Sequence, residues 1–202
     1  MENLKKKIIR NHVEKIMEVF PFTIKEKQFD DVANIVRGKD TLCVLPTSFG
    51  KSLIYQMLPV LAKNLGLAPS PLVIVVSPLI ALIKDQIHEA NSSPLGLKAC
   101  AVQEDMKGFS MIFGTPDETW LKNSTAQKFH KSAFTKFPAS KTEAAFHESI
   151  ARISELRSIC RSNLPVLATS ATVNADLTEL IMNSVELSKN VKVIAALPLN
   201  AE

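Results

Sequence analysis

The sequence predicts an α/β fold: a mainly parallel sheet with helices on both faces, preceded by a helical extension. Five short apolar runs recur along the chain: TLCVL (41–45), LVIVV (72–76), FSMIF (109–113), PVLAT (165–169) and VKVIA (191–195). Helical patterns fall between or beside them, at 51–64, 79–90, 143–161 and 175–187. The runs are continuous rather than alternating, the mark of strands buried on both faces and joined by right-handed crossovers. Composition agrees, since 202 residues with 46% hydrophobic and 22% charged side chains suit one globular α/β domain.

Taken in order, Leu4, Ile8, Val13, Ile16, Met17 and Phe20 recur at helical spacing, predicting a helix over 3–19 that Pro21 stops. A second helix is expected over 25–37, with Phe29, Val32, Ile35 and Val36 inward and Gly38 at its C-terminal end. Residues 1–38 thus form a helical unit, and 39–202 carry the sheet. The least structured stretch is Lys122 to Thr142, polar and without a long apolar run.

Several function classes fall away. No apolar run approaches a membrane span, and MENLKKKIIRNHVEKIMEVF lacks a signal-peptide core, so an intracellular protein with no membrane partner is expected. Cys43, Cys100 and Cys160 show no CxxC spacing, and His12, His88, His130 and His147 are scattered, so neither a disulfide framework nor a zinc site is indicated. No G-x-S-x-G elbow is present. The net charge of +4 permits a polyanionic partner without arguing for one. Oligomeric state is not legible.

The chemistry concentrates in LCVLPTSFGKSLIYQMLPVL, Leu42 to Leu61. The phosphate-loop pattern G-x-x-x-x-G-K-[ST] is kept in its last three positions, Gly50, Lys51 and Ser52, while Leu45 stands where the first glycine would be. Gly50 lets backbone amides close around a phosphate, Lys51 brings a point charge, and Ser52 offers a hydroxyl to Mg²⁺. The helix starting near Lys51 aims its N-terminal amides at the same anion. Gly66 ends that helix, and Pro59 within it is expected to kink it.

Here the chain resembles the first RecA-like domain of superfamily 2 helicases, and among them the RecQ-like DNA helicases. The resemblance implies a P-loop hydrolase fold, ATP with Mg²⁺ as cofactors, single-stranded or forked DNA as partner, and the nucleus as one location. It assigns Pro46, Thr47, Ser48, Phe49, Gly50, Lys51 and Ser52 to the nucleotide, with Lys51 catalytic and Ser52 on the metal. PTSFGKSLIYQ departs from the family chiefly at Ser48, where a glycine is usual; were positive φ needed there, the strain would be about 1–3 kcal/mol. IKEKQ resembles the adenine-reading motif, which places Lys25 and Gln28 on the base, a task suited to an amide that both donates and accepts.

Further segments carry the likeness along the chain. In VIVVSPLIALIKDQI, Ser77 is well placed as an N-cap and Pro78 as the first helical residue, a socket for a backbone phosphate with Lys84 nearby. FGTPDETWL resembles the next DNA-contacting motif through Thr115 and Pro116. ATSAT resembles the Ser-Ala-Thr motif that links nucleotide state to DNA grip, with Ser170 and Thr172 as its hydroxyls. ISELRSICRSNLPV resembles the helix leading into that strand.

The family also carries a strand ending in Asp-Glu, whose Asp holds the metal shell and whose Glu activates water. No apolar run ending in an acidic pair occurs between Lys122 and Asn163. Asp117-Glu118 is one degenerate alternative, although its Thr-Pro context fits the upstream motif. SAFTKF, Ser132 to Phe137, either stands in as a poor strand or belongs to a loosely ordered segment, and the second is the expectation. A second RecA-like domain with its arginine finger is not found in these residues. The expectation is therefore a RecQ-type helicase module that binds ATP weakly through Lys51 and unwinds nothing by itself. The alternatives are an inactive nucleic-acid or partner-binding adaptor, or a truncated product without independent activity.

Overall fold

The computed structural model describes residues 2–77, 80–102, 108–115, 133–138, 164–171, 175–184, 187 and 190–195. Seven strands are formed there: β1 (Thr41–Val44), β2 (Leu72–Val76), β3 (Ala99–Ala101), β4 (Met111–Gly114), β5 (Ala133–Pro138), β6 (Val166–Ser170) and β7 (Lys192–Ala195). The helices are α1 (Glu2–Met17), α2 (Glu26–Val36), α3 (Lys51–Asn64), α4 (Ile80–Ser92) and α5 (Ala175–Ser184). The strands form one sheet in the order β3-β4-β2-β5-β6-β1-β7, and every neighbouring pair is parallel. This is a RecA-like arrangement.

Alternation along each strand sends side chains to two separate cores. Cys43, Leu45, Val73, Val75 and Leu167 join one core with residues of α1, α2 and α3. Leu42, Val44, Leu72, Ile74, Val76, Val166 and Ala168 join the other, with Ile181 of α5. Burial on both faces explains why these strands read as unbroken apolar runs. Asp40, itself buried, ties the strand starts together: its carboxylate accepts from Val166 N at 2.9 Å and its carbonyl from Lys192 N at 3.0 Å.

Three expectations need correction. Leu4 and Ile8 are 63% and 46% exposed, and Ile9 takes the inward place with Val13, Ile16 and Met17. The apolar residues of α1 are ambiguous by spacing alone. Its orientation is fixed by α2, through Lys6 to Asp30 at 2.9 Å and Arg10 to Glu26 at 2.8 and 3.0 Å. The guanidinium of Arg10 also lies 3.8 Å from the Phe29 ring centre. Second, ACA at 99–101 is an edge strand too short to show as an apolar run. It is clamped by Asn91, which donates to Ala99 O at 2.9 Å and accepts from Ala99 N at 2.8 Å.

The third correction matters most. The place between β2 and β6 is filled: Ala133–Pro138 pairs with β2 from Leu72↔Ala133 to Val75↔Lys136, and with β6 from Thr135↔Val166 to Pro138↔Thr169. An internal gap there would leave two rows of backbone groups unpaired, each costing roughly 1–3 kcal/mol, and this outweighs the segment's polar sequence. The helix expected at 143–161 and the alternative acidic pair at Asp117-Glu118 lie outside the described residues. Pro59 sits within an unbroken α3.

Candidate functional site

The phosphate-loop residues follow β1 directly, at the carboxyl edge of the sheet. Pro46 leads into a single 3₁₀ turn, Thr47–Phe49, and Gly50 then takes a left-handed conformation (φ 80°, ψ 42°) before α3 begins at Lys51. Ser48 lies inside the 3₁₀ turn, a right-handed conformation open to any residue, so the conditional strain expected there does not arise. The one position that needs left-handed freedom already holds glycine.

Lys51 turns its ammonium into the loop. Its Nζ donates to Leu45 O at 2.7 Å and to Pro46 O at 3.0 Å. Burial pushes the ammonium below its ordinary pKa, with the neighbouring Cys43 acting in the opposite direction. A partly desolvated cation among carbonyls gains from an anion that replaces lost water. The α3 amides lie beside it, unspent within the helix.

Neighbouring strands place the Ser-Ala-Thr segment beside this loop. Val44 is in register with Ser170, and Leu45 N donates to Ser170 O at 3.1 Å. Ser170 is buried, and Thr172 lies outside the described residues. Below Ser52, Tyr55 is fully buried, edge-on to Phe113 at 6.5 Å. Burial pushes its phenol up, while the Ser52 hydroxyl pulls the other way. Nothing in the sequence singled out Tyr55 or Asp40, and Leu45 was marked only as standing where the first glycine would be; Leu45 and Asp40 act partly through backbone carbonyls, which leave no residue signature.

Lys25 and Gln28 lie at the start of α2 beside the loop, Gln28 buried and Lys25 exposed. Gln28 is 4% exposed; its Oε1 accepts from Lys25 N at 2.9 Å, and its Nε2 donates to Phe49 O at 2.8 Å and Gly50 O at 3.1 Å. Lys25 Nζ stands 4.1 Å from the Phe49 ring centre.

The nucleic-acid candidates sit further along the same edge, at the ends of β2 and β4. Ser77 is fully buried, its amide donates to Gly114 O at 2.9 Å, and its hydroxyl has no hydrogen-bond partner among the described residues. Its amide is thus spent inside the fold, while the helix-start positions of the expected socket, Pro78 and Leu79, lie outside the described residues. Thr115 is 7% exposed, and Lys84 is exposed on α4. Pro78 and Pro116 lie outside the described residues. Strand β5 separates this group from the phosphate loop, and the residues after its Pro138 read Ala139-Ser140-Lys141-Thr142. The central strand is present, but no acidic pair follows it.

Comparisons with known proteins agree with this layout. The DEAD/DEAH box helicase family matches residues 25–180. The probable ATP-dependent DNA helicase RecS of Bacillus subtilis is 27% identical over 197 residues, covering 88% of this chain and 38% of that protein. The ATP-dependent DNA helicase Q-like SIM of Arabidopsis thaliana is 28% identical over 196 residues, covering 85% and 22%. Human ATP-dependent DNA helicase Q4 is 46% identical over 76 residues, 37% of this chain. Among solved structures, the helicase MrfA bound to DNA and AMPPNP superposes with a TM-score of 0.69 at 16% identity, covering 91% of this chain and 28% of that one. The DEAD-box helicase Mss116 bound to ssRNA and UDP-BeF gives 0.69 at 15%, covering 91% and 42%. The chain spans well under half the length of these proteins, and no described helix is long and apolar enough to cross a membrane. A parallel sheet with a glycine-lysine-serine loop against its Ser-Ala-Thr strand, together with the family match across residues 25–180, places the chain in the DEAD/DEAH box helicase family, as a RecQ-like superfamily 2 N-terminal domain.

Proposed function

We propose that this chain is the nucleotide-binding half of a RecQ-type DNA helicase, which holds ATP at residues 45–52 and single-stranded DNA along the same sheet edge without turning the nucleotide over. The observation that carries the reading is Lys51. Its ammonium is drawn into the loop at 2.7 Å from Leu45 O, where α3 begins, and Leu45 N in turn donates to Ser170 O at 3.1 Å. Incoming β- and γ-phosphates would exchange those carbonyls for a stronger, doubly charged pairing.

Magnesium fits only as a companion of the phosphates. Among the described residues no group of three His, Cys, Asp or Glu side chains could hold it, so Ser52 would ligate it together with phosphate oxygens. Bound there, it would neutralise charge on the polyphosphate. DNA would run past Lys84 and Thr115, with Lys84 meeting the backbone as a sequence-independent charge. Slow turnover follows from the missing acidic pair after β5. Losing a positioned base costs about 10²–10⁴-fold.

The test is a titration of the purified chain with ATP and Mg²⁺, run beside a phosphate-release assay with and without single-stranded DNA. Saturable binding with no release above background is expected. Robust DNA-stimulated release overturns the reading. A Lys51→Ala chain that keeps DNA affinity unchanged, with and without ATP, favours the adaptor instead.

A further inference from the structure

A serine that is to hold a cation must turn its lone pairs toward the ion and send its hydrogen elsewhere, because a hydroxyl has one donor and two acceptor sites. Ser52, the half-buried second residue of α3, has a partner for that hydrogen one turn on. Tyr55 follows it by three positions, on the same helix face. Side chains on a helix lean back toward its N-terminus, which brings the phenol over Ser52. The two side chains interact: burial pushes the phenol up, and the Ser52 hydroxyl pulls it down. That downward pull is the direction expected when Ser52 donates its hydrogen to the phenol oxygen.

The sheet holds the phenol in place. Tyr55 is 0% exposed, and its ring stands edge-on to Phe113 of β4, with centroids 6.5 Å apart and planes at 73°. Phe113 is itself fully buried and in register with Val75 of β2. The contact also differs in kind from those of Lys51. To meet an anion, the Lys51 ammonium exchanges Leu45 O and Pro46 O for it. Ser52 gives up nothing, since it can keep donating to Tyr55 while its lone pairs face a cation. No acidic pair follows β5 to help orient such an ion, which puts more weight on this one hydroxyl.

We propose that Tyr55 is a positioning residue, whose phenol oxygen takes the Ser52 hydrogen and so fixes the serine's lone pairs toward the Mg²⁺ that accompanies a bound triphosphate. This rests on the polyphosphate reading above and deepens it. Tyr55 acts through Ser52 rather than on the ligand. Outer contacts of this kind orient the group that meets the metal, and losing one typically weakens metal binding by about 10–100-fold.

The experiment has two arms. In the first, a fluorescent nucleoside triphosphate is titrated into the wild-type chain and into Tyr55→Phe, in EDTA and across a range of Mg²⁺. Tyr55→Phe removes one oxygen and keeps the ring. Affinities in EDTA are expected to agree within about twofold. The Mg²⁺ concentration that gives half-maximal enhancement is expected to rise about tenfold or more in the variant. An unchanged Mg²⁺ dependence overturns the role, and so does an equal loss with and without Mg²⁺, which is what a merely structural tyrosine would give. The second arm needs neither nucleotide nor a change at Tyr55. Tyr55 is the only tyrosine of the chain, so labelling the ring carbon that bears its hydroxyl with ¹³C gives one NMR signal, sensitive to hydrogen bonding there. Ser52→Ala is expected to move that signal, and an unmoved signal overturns the contact even where Tyr55→Phe fails to fold. If the wild type binds the probe in neither condition, the polyphosphate reading fails and the positioning role falls with it. Wild-type binding that ignores Mg²⁺ overturns the role and leaves the polyphosphate reading standing.

Discussion

Asp31 shows what one side chain can impose on this fold. It lies on α2, fully buried, with the Cys43 thiol of β1 set against its carboxylate. Burial pushes its pKa from an ordinary 3.8 up to about 7, the Cys43 thiol only partly offsetting it. A carboxyl raised on folding favours the native state below its unfolded pKa, and that advantage is lost as pH rises through the folded one. Stability is therefore expected to fall between pH 3.8 and about 7, by roughly 4 kcal/mol at most. Urea melts across that range check it: Asp31→Asn should flatten the slope, and equal slopes would contradict the assignment. Legibility at this scale was uneven. Gly50, Lys51 and Ser52 announce themselves because phosphate chemistry needs those residue types in that order. Asp31 carries no such signal, because the surface that buries it includes Cys43 of β1, from a different part of the sequence.

Whole elements were legible where apolar pattern fixes them and obscure where tertiary pairing does. Strands β1, β2, β4 and β6 were visible as runs buried on both faces, and β7 as an apolar run although it is an edge strand exposed at Lys192 and Val193. Strand β5 was not, since its place comes from two open neighbours rather than from its own sequence. A proline at Thr135, in register with both Ile74 and Val166, should therefore unfold the domain or cost at least the roughly 1–3 kcal/mol of an unpaired buried backbone group. Thermal melting checks this, and an unaffected Thr135→Pro chain would place the segment outside the sheet. On α1 the periodic pattern admitted two faces, and the structure chose Ile9. Truncation to alanine should cost about 2–5 kcal/mol at Ile9 and within about 0.5 kcal/mol at Ile8, read from denaturant midpoints. The reverse order would mean that α1 is rotated on α2.

Across the whole molecule, one sheet edge collects what the sequence scattered. The loop after β1, Ser170 of β6, Ser77 after β2 and Thr115 after β4 are far apart in sequence, and parallel strands bring them to one side. The family likeness was readable from the order of those segments, and the comparisons bear it out. What the segments could not convey was occupancy: Ser77's amide is already spent, and Gln28 faces the loop. The central claim is that Lys51 is the anion anchor of this edge. Its most direct test is the equilibrium affinity of a fluorescent nucleoside triphosphate, with Mg²⁺, for the wild-type chain and for Lys51→Ala. The account predicts saturable binding that weakens by about tenfold or more in the variant, at least about 1.4 kcal/mol, with the melting transition kept. Equal affinity in the two proteins would contradict it.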